Sequence, residues 1–402
     1  MAADNEDIPA SGETVPALAG FDGLMRTFLR EHRVPGGALA IGRDGKLLYS
    51  RGFGWAARDP DVTVSPDTRF RLASISKPIT AHAILMLVDR AFLGLDDRIV
   101  DRLPDEYLKA RPADERWNEI RISHLLWHTG GWDRDASKDP MFESRTIAKD
   151  LGIASPPGVL DIARWQMRRP LDFAPGERYA YSNFGYLLLG RILERASGQS
   201  YEDAVRDLVF APRGLADAFV LGATARSSRC LGEAEYFDAE RTAESVFDPE
   251  KGEVPTPYGT WCLEAMDAHG GWVGSAPALV RWSMALSRPE DGGLRPETWW
   301  KIQDRPPGAA GMTKEGQPRD SFYGLGWQVR PTGQGIGFHR WHAGSLDGTS
   351  TLLVHRDDGL CWAALFNSRR TRESKTPAQL LDSELHRVAN AVEKWPDHDL
   401  AG

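Results

Sequence analysis

The sequence predicts an α/β (α+β) protein whose β-sheet is assembled from both ends of the chain. Paired strand patterns joined by tight turns occur near each terminus, whereas helical patterns separated by Pro-, Gly- and Trp-rich loops dominate the middle. The length of 402 residues suits two structural units, at roughly 100–200 residues per domain. A discontinuous sheet domain that carries a mostly helical insert accounts for this order of patterns.

The composition is typical of a globular protein, with 41% hydrophobic and 26% charged residues. The formal net charge of -8 repels phosphate backbones, and no basic stripe offsets it, so we expect no nucleic-acid partner. The three cysteines are far apart and form neither a disulfide framework nor a zinc-ribbon pattern. The 14 tryptophans indicate either large core side chains or aromatic pocket walls.

The beginning of the chain lacks the features of a secretory signal. The first 25 residues contain several acids, no Lys or Arg and no long apolar core. No apolar run approaches the ~20 residues that a membrane span needs. We therefore expect a cytoplasmic protein without a membrane span, or a periplasmic or secreted one if a leader was removed before residue 1. The oligomeric state is left open.

Residues 15–90 are assigned to the sheet domain, after a stretch at 1–14 that is acidic, contains Gly, Pro and Ser, and is expected to be a loose tail. Apolar residues within Phe21–Leu29 recur at helical spacing until a Pro-Gly-Gly sequence stops the pattern. Two apolar runs flank Asp44-Gly45. This arrangement predicts a β-hairpin, because Asp-Gly is a strong signal for a two-residue turn.

Residues 91–309 are assigned to the helical insert and residues 310–402 to the second part of the sheet domain. In the C-terminal part, Thr349–His355 and Leu360–Asn367 flank another Asp-Gly turn, and apolar residues within Leu381–Val392 mark a closing amphipathic helix. Four further segments show helical spacing: Lys77–Asp89, Ile122–His128, Tyr186–Ala196 and Ala276–Leu286.

The first candidate for chemistry is Ser74, which lies three residues before Lys77 where a helical pattern begins. On a helix these side chains share one face, and the free N–H groups of the first turn favour developing negative charge. Pro78 fits a first turn but not a helix interior. A buried lysine with a depressed pKa can take the serine proton and make the hydroxyl a nucleophile. The alternative is an ordinary N-cap serine followed by a solvated lysine.

The second candidate is the Tyr-x-Asn sequence formed by Tyr181 and Asn183, which precedes a helical pattern. A tyrosine at this place can shuttle protons, and an asparagine can hold an amide or carbonyl of a substrate. The alternative is an ordinary junction between a loop and a helix.

The third candidate is His342, which is followed by Ala343, Gly344 and Ser345 in a strand pattern. A small residue and a glycine on an edge strand let a substrate approach the backbone closely. Two other His-x-Gly sequences are not followed by a clear strand run, so His342 is the preferred candidate.

Together, Ser-x-x-Lys, Tyr-x-Asn and His-x-Gly resemble, in this order, the motifs of the serine β-lactamase and penicillin-binding protein superfamily. The class C β-lactamase-like branch, which includes esterases and D-amino-acid peptidases, is the most similar. The resemblance covers about Val34 to Asn367. Four other segments are also similar to the family: Phe70–Ser74, the sequence HLLWHTGG within Ile122–Gly131, Phe173–Gly176 and the sequence YGLGW at Tyr323–Trp327.

The resemblance implies an antiparallel sheet flanked by the terminal helices, an all-helical lobe and a site between them. It implies that Ser74 attacks a carbonyl and is acylated, that Lys77 and Tyr181 share the general-base role, and that Tyr181 protonates the leaving group. The backbone N–H groups of Ser74 and Ser345 would hold the oxyanion. Asn183 would orient the substrate, and water would release the acyl group. No cofactor and no metal are expected.

The third motif departs from the family pattern. Most β-lactamases and carboxypeptidases of the superfamily have a lysine where this chain has His342, which is mostly neutral at pH 7. We therefore expect weak recognition of penicillins and of free terminal carboxylates, and a neutral ester, amide, lactone or short peptide as substrate. The segment Asp133–Pro170 either covers the site or forms a surface loop with one short helix. The predicted pocket walls are Trp132, Trp272, Trp327 and Trp341.

The activity expected from the sequence is that of a metal-independent esterase or amidase. One alternative is a D-amino-acid peptidase, a DD-carboxypeptidase or a weak β-lactamase, and another is a non-catalytic ligand-binding or sensor protein. His124 and His128 have a metal-binding spacing, but a His-Glu-x-x-His sequence and a third ligand are lacking. The absence of a Gly-x-Ser-x-Gly sequence argues against an α/β-hydrolase.

Overall fold

The structure is a computed structural model that describes residues 8–109, 111–238, 241–248, 250, 252–333 and 337–400. Its strands are β1 Ala10–Ser11, β2 Gly36–Arg43, β3 Lys46–Arg58, β4 Asp61–Thr63, β5 Phe70–Arg71, β6 Phe219–Leu221, β7 Thr242–Glu244, β8 Glu253–Pro255, β9 Trp272–Gly274, β10 Phe322–Tyr323, β11 Gln328–Pro331, β12 Phe338–Leu346, β13 Thr349–His355 and β14 Leu360–Phe366. Its α-helices are α1 Ala19–His32, α2 Ser76–Asp89, α3 Asp105–Leu108, α4 Ile122–Leu126, α5 Arg134–Ser137, α6 Ser144–Leu151, α7 Val159–Met167, α8 Asn183–Ser197, α9 Tyr201–Val205, α10 Asp267–Gly270, α11 Ala276–Ala285, α12 Pro296–Lys301 and α13 Pro377–Asn390.

The main sheet contains strands from both ends of the chain. Within the described residues its order is β1-β3-β2-β14-β13-β12-β11-β10, with β4 paired to β3, and neighbouring strands are antiparallel. The N-terminal strand β2 pairs directly with the C-terminal strand β14, with Ala40 opposite Ala363. The predicted fold class is confirmed.

The N-terminal hairpin turns where the Asp-Gly sequence predicts it. Asp44 has φ 52° and Gly45 has φ 87°, so both turn residues adopt the left-handed region. Two residues with positive φ form the turn whose twist matches that of paired strands. The C-terminal hairpin between β13 and β14 has a longer connection, which also ends in a positive-φ glycine, Gly359.

The two faces of the sheet are covered by different helices. On β2, Leu39 and Ile41 belong to the apolar cluster formed with α1 and α13, whereas Ala38 and Ala40 face the cluster that includes α11. This alternation is the period of two expected of a strand that is buried on both faces. At Gly42 a methyl group would collide with the Met284 and Val280 side chains of α11. Small residues on this face therefore let α11 pack close to the sheet.

Helix α2 belongs to the apolar cluster on the α11 side of the sheet, and it packs against α8 and α10. Nearly all of its residues are buried, as in a helix that is apolar on every side. The buried hydroxyl of Thr80 is hydrogen-bonded to the Ala268 carbonyl at 2.6 Å and to the Tyr201 hydroxyl at 2.7 Å. These contacts satisfy its polar atom, which would otherwise be costly to bury.

The predicted domain boundaries stay a prediction. Two helices pack against elements that are assigned to the other domain. Helix α2, assigned to the sheet domain, packs against the helical layer, and α11, assigned to the insert, packs against β2 and β14. Of the expected loose tail, residues 1–7 lie outside the described residues. Ala10 and Ser11 form β1 and pair with Phe53 and Gly52 of β3.

The predicted helices are present, with shifted ends. Helix α4 ends at Leu126, before the predicted end at His128, because His128 adopts φ 58°. Helix α8 begins earlier than predicted, at Asn183, because the Ser182 hydroxyl accepts the Gly185 N–H at 3.2 Å and caps the helix. Local capping thus decided the ends that hydrophobic periodicity alone does not specify.

The segment Asp133–Pro170 contains more helix than a surface loop with one short helix. Helices α5, α6 and α7 all lie in it, and residues of its first part contact the candidate site described below. Among the helices of the described residues, none has the length and apolar character to cross a bilayer. All three cysteines are free.

Candidate active site

Ser74 lies in a 3₁₀ turn that runs directly into α2. Leu72, two residues before Ser74, is held by strands β9 and β13. Its N–H donates to the Trp272 carbonyl of β9 at 2.8 Å, and its carbonyl accepts from the Thr351 hydroxyl of β13 at 2.9 Å. Ala73 has φ 49°, a left-handed conformation that is uncommon for a residue with a side chain. The surrounding sheet therefore holds Ser74 on a tightly turned backbone.

Lys77 is fully buried and points at Ser74. Its Nζ lies 3.0 Å from Ser74 Oγ and donates to the His269 carbonyl at 2.9 Å. Burial lowers the pKa of Lys77 well below its ordinary value, and the opposing effect of the Asp139 carboxylate is smaller. The structure thus brings these two residues together, with the amine in an environment that favours its neutral form.

Tyr181 lies close enough to Ser74 for the serine side chain to favour the ionised phenol, which opposes part of the effect of burial on its pKa. The Nζ of Lys77 lies 4.7 Å from the centroid of the Tyr181 ring. Burial raises the pKa of Tyr181 above its ordinary value, so the phenol keeps its proton at neutral pH. The Ser74 hydroxyl and the Lys77 amine, neighbours on one helix turn, therefore meet the Tyr181 phenol from a distant part of the sequence.

His128 holds the backbone on both sides of Tyr181. Its Nδ1 accepts the Ser182 N–H at 3.1 Å, and its carbonyl accepts the Ala180 N–H at 2.9 Å. Because Nδ1 accepts, the proton of the neutral ring is on Nε2, which is buried without a hydrogen-bond partner. Burial and the neighbouring Lys77 lower the pKa of His128 well below its ordinary value. Sequence reasoning missed this role, although His128 lies in the HLLWHTGG sequence.

The metal-binding spacing of His124 and His128 does not produce a shared helix face. His124 lies on α4 and its Nδ1 accepts the Arg121 N–H at 3.2 Å, whereas His128 follows the helix in a left-handed conformation. Across the described parts of the chain, no group of three His, Cys, Asp or Glu side chains is arranged to hold a metal ion.

Asn183 is held by a carboxylate from the segment before the tyrosine motif. Its Nδ2 donates to Asp139 Oδ2 at 2.6 Å, while its Oδ1 is buried without a hydrogen-bond partner. Asp139 also accepts the Met141 N–H at 3.1 Å. Burial raises the pKa of Asp139, and Lys77 is among the groups that oppose this shift. Asp139 is a further residue that the sequence patterns did not reveal.

Strand β12 approaches the turn of Ser74 at Gly344. A methyl group at this position would collide with the Leu72 carbonyl and the Thr351 hydroxyl, and would lie 3.1 Å from the Ser74 amide nitrogen. Only glycine lets the strand come this close to the backbone of the nucleophile. Ser345 follows in the same strand, and its hydroxyl oxygen is buried without a hydrogen-bond partner.

His342 is buried, and both of its ring nitrogens are engaged within the protein. Nδ1 lies 2.8 Å from the Ala343 carbonyl, to which it must donate, and Nε2 accepts the Tyr323 hydroxyl at 2.9 Å. Burial, with a smaller effect of Lys77, lowers the pKa of His342 to about 3. The ring is therefore neutral at pH 7, and its nitrogens do not face a substrate anion.

Tyrosine rings form the aromatic surroundings of the site. The ring centroids of Tyr323, Tyr186 and Tyr179 lie 4.4, 5.0 and 6.0 Å from that of His128. The Tyr186 hydroxyl donates to the Leu126 carbonyl at 3.1 Å. Burial raises the pKa of all three phenols, that of Tyr179 to about 12.

The tryptophans predicted as pocket walls contact mainly other core side chains. Trp272 is fully buried and its Nε1 donates to the Tyr201 hydroxyl at 2.9 Å, and Trp327 stacks on Trp282 at 5.8 Å. Trp132 packs edge-on against Phe184, and Trp341 packs on the sheet face covered by α1 and α13. The predicted pocket lining gains no support from these contacts.

The chain matches one family model and is similar in sequence to an esterase and a penicillin-binding protein. A family model described as "Beta-lactamase" matches residues 21–385. The chain is 34% identical over 271 residues to "Esterase EstB" of Burkholderia gladioli, which covers 65% of this chain and 62% of the esterase. It is 28% identical over 338 residues to "Penicillin-binding protein 4*" of Bacillus subtilis (strain 168), which covers 83% of this chain and 68% of that protein. The match thus spans less than two thirds of the esterase.

The fold is also similar to that of a solved structure. The D-amino acid amidase from Ochrobactrum anthropi SV3, complexed with D-phenylalanine, superposes with a TM-score of 0.71 at 21% sequence identity, covering 94% of this chain and 99% of the amidase. At this identity the likeness concerns the fold.

Proposed function

The chain belongs to the beta-lactamase family, and from this premise we propose that it is a serine hydrolase that cleaves an ester or amide bond of a small substrate through an acyl-enzyme on Ser74. The observation that carries the proposal is the distance of 3.0 Å between Lys77 Nζ and Ser74 Oγ, with the ring centroid of Tyr181 4.7 Å from the same Nζ. A nucleophile that contacts one proton-transfer group and has a second one nearby is suited to covalent catalysis.

In the proposed acylation, Ser74 Oγ bonds to the carbonyl carbon and its proton passes to the neutral amine of Lys77. The tetrahedral intermediate collapses as the bond to the leaving group breaks. Tyr181, which is protonated because burial raises its pKa, gives its proton to the leaving group and is reprotonated from Lys77. In deacylation a water oxygen bonds to the acyl carbon while Lys77 and Tyr181 take its proton. The bond between this carbon and Ser74 Oγ then breaks, and the same two residues return the proton to Oγ.

Two backbone N–H groups are proposed to stabilise the oxyanion, those of Ser74 and Ser345. The close approach of β12 at Gly344 to the amide of Ser74 supports this role, because it allows donors from two elements to point at one oxygen. Loss of one such donor typically costs about 10²–10³ in rate. The unpartnered Oδ1 of Asn183 supports a role in accepting an N–H of the substrate.

A phosphonate probe tests the proposal directly. We expect one covalent adduct, located by mass spectrometry of the digested protein on Ser74, and none in the Ser74→Ala variant. Short 4-nitrophenyl esters should be hydrolysed by the wild type and not by this variant. Ser76→Ala is the matched control, because Ser76 lies in the same helix turn and its hydroxyl accepts the Trp272 N–H instead. Equal ester hydrolysis by wild type and Ser74→Ala, without an adduct, would refute the mechanism.

Cleavage of D-amino-acid amides or peptides is a second candidate, favoured by the similarity to a penicillin-binding protein over 83% of this chain. Parallel assays with short 4-nitrophenyl esters, nitrocefin and D-Ala 4-nitroanilide separate the candidates. Faster turnover of the anilide than of the esters would favour the second. Fastest turnover of nitrocefin would contradict the interpretation of the third motif, and stable acylation without product release would favour a sensor.

A further inference from the structure

An exposed cation lies at the edge of the candidate active site. Arg134 is at the start of α5, and its guanidinium carbon is 5.0 Å from the centroid of the Tyr181 ring. The Nζ of Lys77 lies 4.7 Å from the same centroid. Arg134 is therefore placed beside the same ring as Lys77, the residue that contacts Ser74, and its side chain is open to solvent.

Two acidic side chains near Arg134, those of Asp133 and Asp139, are engaged by other groups. Asp133 pairs with Arg178 at 2.8 Å, and the two oxygens of Asp139 accept from the Asn183 side chain and the Met141 N–H. In the part of the chain that is described, no ion pair and no hydrogen bond of the Arg134 guanidinium is found. The charge is thus held at the site by an aromatic contact and is available to a bound anion.

The other basic side chains of the site, Lys77 and His342, are not available to an anion in this way. Lys77 is buried and engaged by Ser74 and the His269 carbonyl, and both nitrogens of His342 are engaged within the protein. A neutral His342 by itself predicts a neutral substrate. The accessible positive charge of the site is that of Arg134 on α5, next to the Tyr181 ring.

We propose that Arg134 binds a carboxylate of the substrate, so that the enzyme prefers esters or amides carrying a carboxylate within a few bonds of the scissile bond. A guanidinium matches the two oxygens of a carboxylate with two parallel N–H donors. The inference rests on the proposed function, because it places the reacting carbonyl at Ser74. A charge-assisted pair of this kind supports a preference of about tenfold or more in kcat/KM.

Two pairs of esters test the inference, each consisting of a carboxylate and its neutral carboxamide analogue. In the first pair, the 4-nitrophenyl monoester of glutarate and its carboxamide, the charge is on the acyl side. In the second, 3-carboxyphenyl butanoate and its carboxamide, it is on the leaving group. We expect the wild type to prefer the carboxylate about tenfold in at least one pair, and this preference to weaken as salt screens the charge.

The variant Arg134→Gln should remove the preference and leave the carboxamide within about twofold of wild type, whereas Arg134→Lys should keep part of it. Arg169→Gln is the matched control: Arg169 also lies on an aromatic ring, 4.4 Å from the centroid of Trp165, but outside the site. It should keep the wild-type preference.

Turnover without a carboxylate preference in either pair would overturn the inference and leave the proposed function intact. An equal loss for both members of a pair in Arg134→Gln would also overturn it, because this result indicates a structural role at Tyr181. Absence of turnover of all four esters, with no acylation of Ser74, would overturn the proposed function and the inference together.

Discussion

The imidazole of His128 lies 4.4 Å from the phenol ring of Tyr181, centroid to centroid, and its Nδ1 accepts the N–H of the next residue, Ser182. The carbonyl of His128 accepts the N–H of Ala180, so the tyrosine is held from both sides by one residue of another loop. The catalytic geometry of Tyr181 therefore depends on a histidine that is not itself placed to react. In the mechanism proposed above, His128 is a positioning residue.

Replacing His128 by asparagine should lower kcat and leave KM nearly unchanged. Asparagine tolerates the positive φ of this position but cannot stack on Tyr181 as an imidazole does. We expect a loss of roughly tenfold, a part of the 10²–10⁴ that a positioned acid–base group contributes. The measurement is steady-state kinetics with a 4-nitrophenyl ester, and thermal unfolding shows whether the variant is folded. His124→Asn is the control from the same sequence segment. A rise in KM at constant kcat would contradict the positioning role.

The rate should depend on a lysine that loses its proton far below the ordinary lysine range. Because burial lowers the pKa of Lys77, its amine is neutral, and able to take the serine proton, above that lowered pKa. As the pH falls through that value, kcat should fall with the fraction of neutral amine. Lys77→Arg stays protonated and cannot take the serine proton, so it should be inactive at every pH tested. An acid limb that persists unchanged in Lys77→Arg would exclude Lys77 as the titrating group.

Buried His342 should reduce stability at acid pH. Its pKa is about 3 in the folded protein and 6.5 when unperturbed, so the unfolded state binds more protons between these values. The stabilisation is complete above about pH 6.5 and is lost as the pH falls toward 3, at up to about 1.4 kcal/mol per pH unit.

Denaturant unfolding of His342→Gln checks this linkage. Glutamine can still donate to the Ala343 carbonyl and accept from Tyr323, but it does not titrate. Between pH 6.5 and 4, the free energy of unfolding should fall less steeply in the variant than in the wild type. Identical slopes would show that His342 does not contribute to the acid limb.

A single methyl group at Gly344 should abolish activity. Gly344→Ala places a Cβ against the Leu72 carbonyl and 3.1 Å from the Ser74 amide nitrogen, so strand and nucleophile must move apart. Because this contact aligns the proposed oxyanion donors, we expect a loss of at least about 10² in kcat. Gly23→Ala is the control, since a Cβ at that helical glycine meets no atom within 4 Å and should be neutral or slightly stabilising. Wild-type activity in Gly344→Ala would contradict the proposed site geometry.

Several parts of the fold could be predicted because the signals are local. The turn at Asp44-Gly45 follows from two residues that accept positive φ, and α1 and α13 follow from apolar residues spaced by one helical turn. Helix ends were less predictable. The left-handed backbone of His128 ended α4 early and the Ser182 cap started α8 early, and periodicity contains neither signal.

By itself, the sequence determined the fold class, the two-ended sheet and the candidates Ser74, Lys77 and Tyr181, because spacing along a helix and short motifs report neighbours along the chain. Only the tertiary structure decided that His342 is sealed against Tyr323, that Asp139 and Arg134 reach the site from the preceding segment, and that the four tryptophans contact mainly core side chains. These facts depend on contacts between residues far apart in the chain. Burial, which sets the charge state of each group, exists only once those contacts have formed.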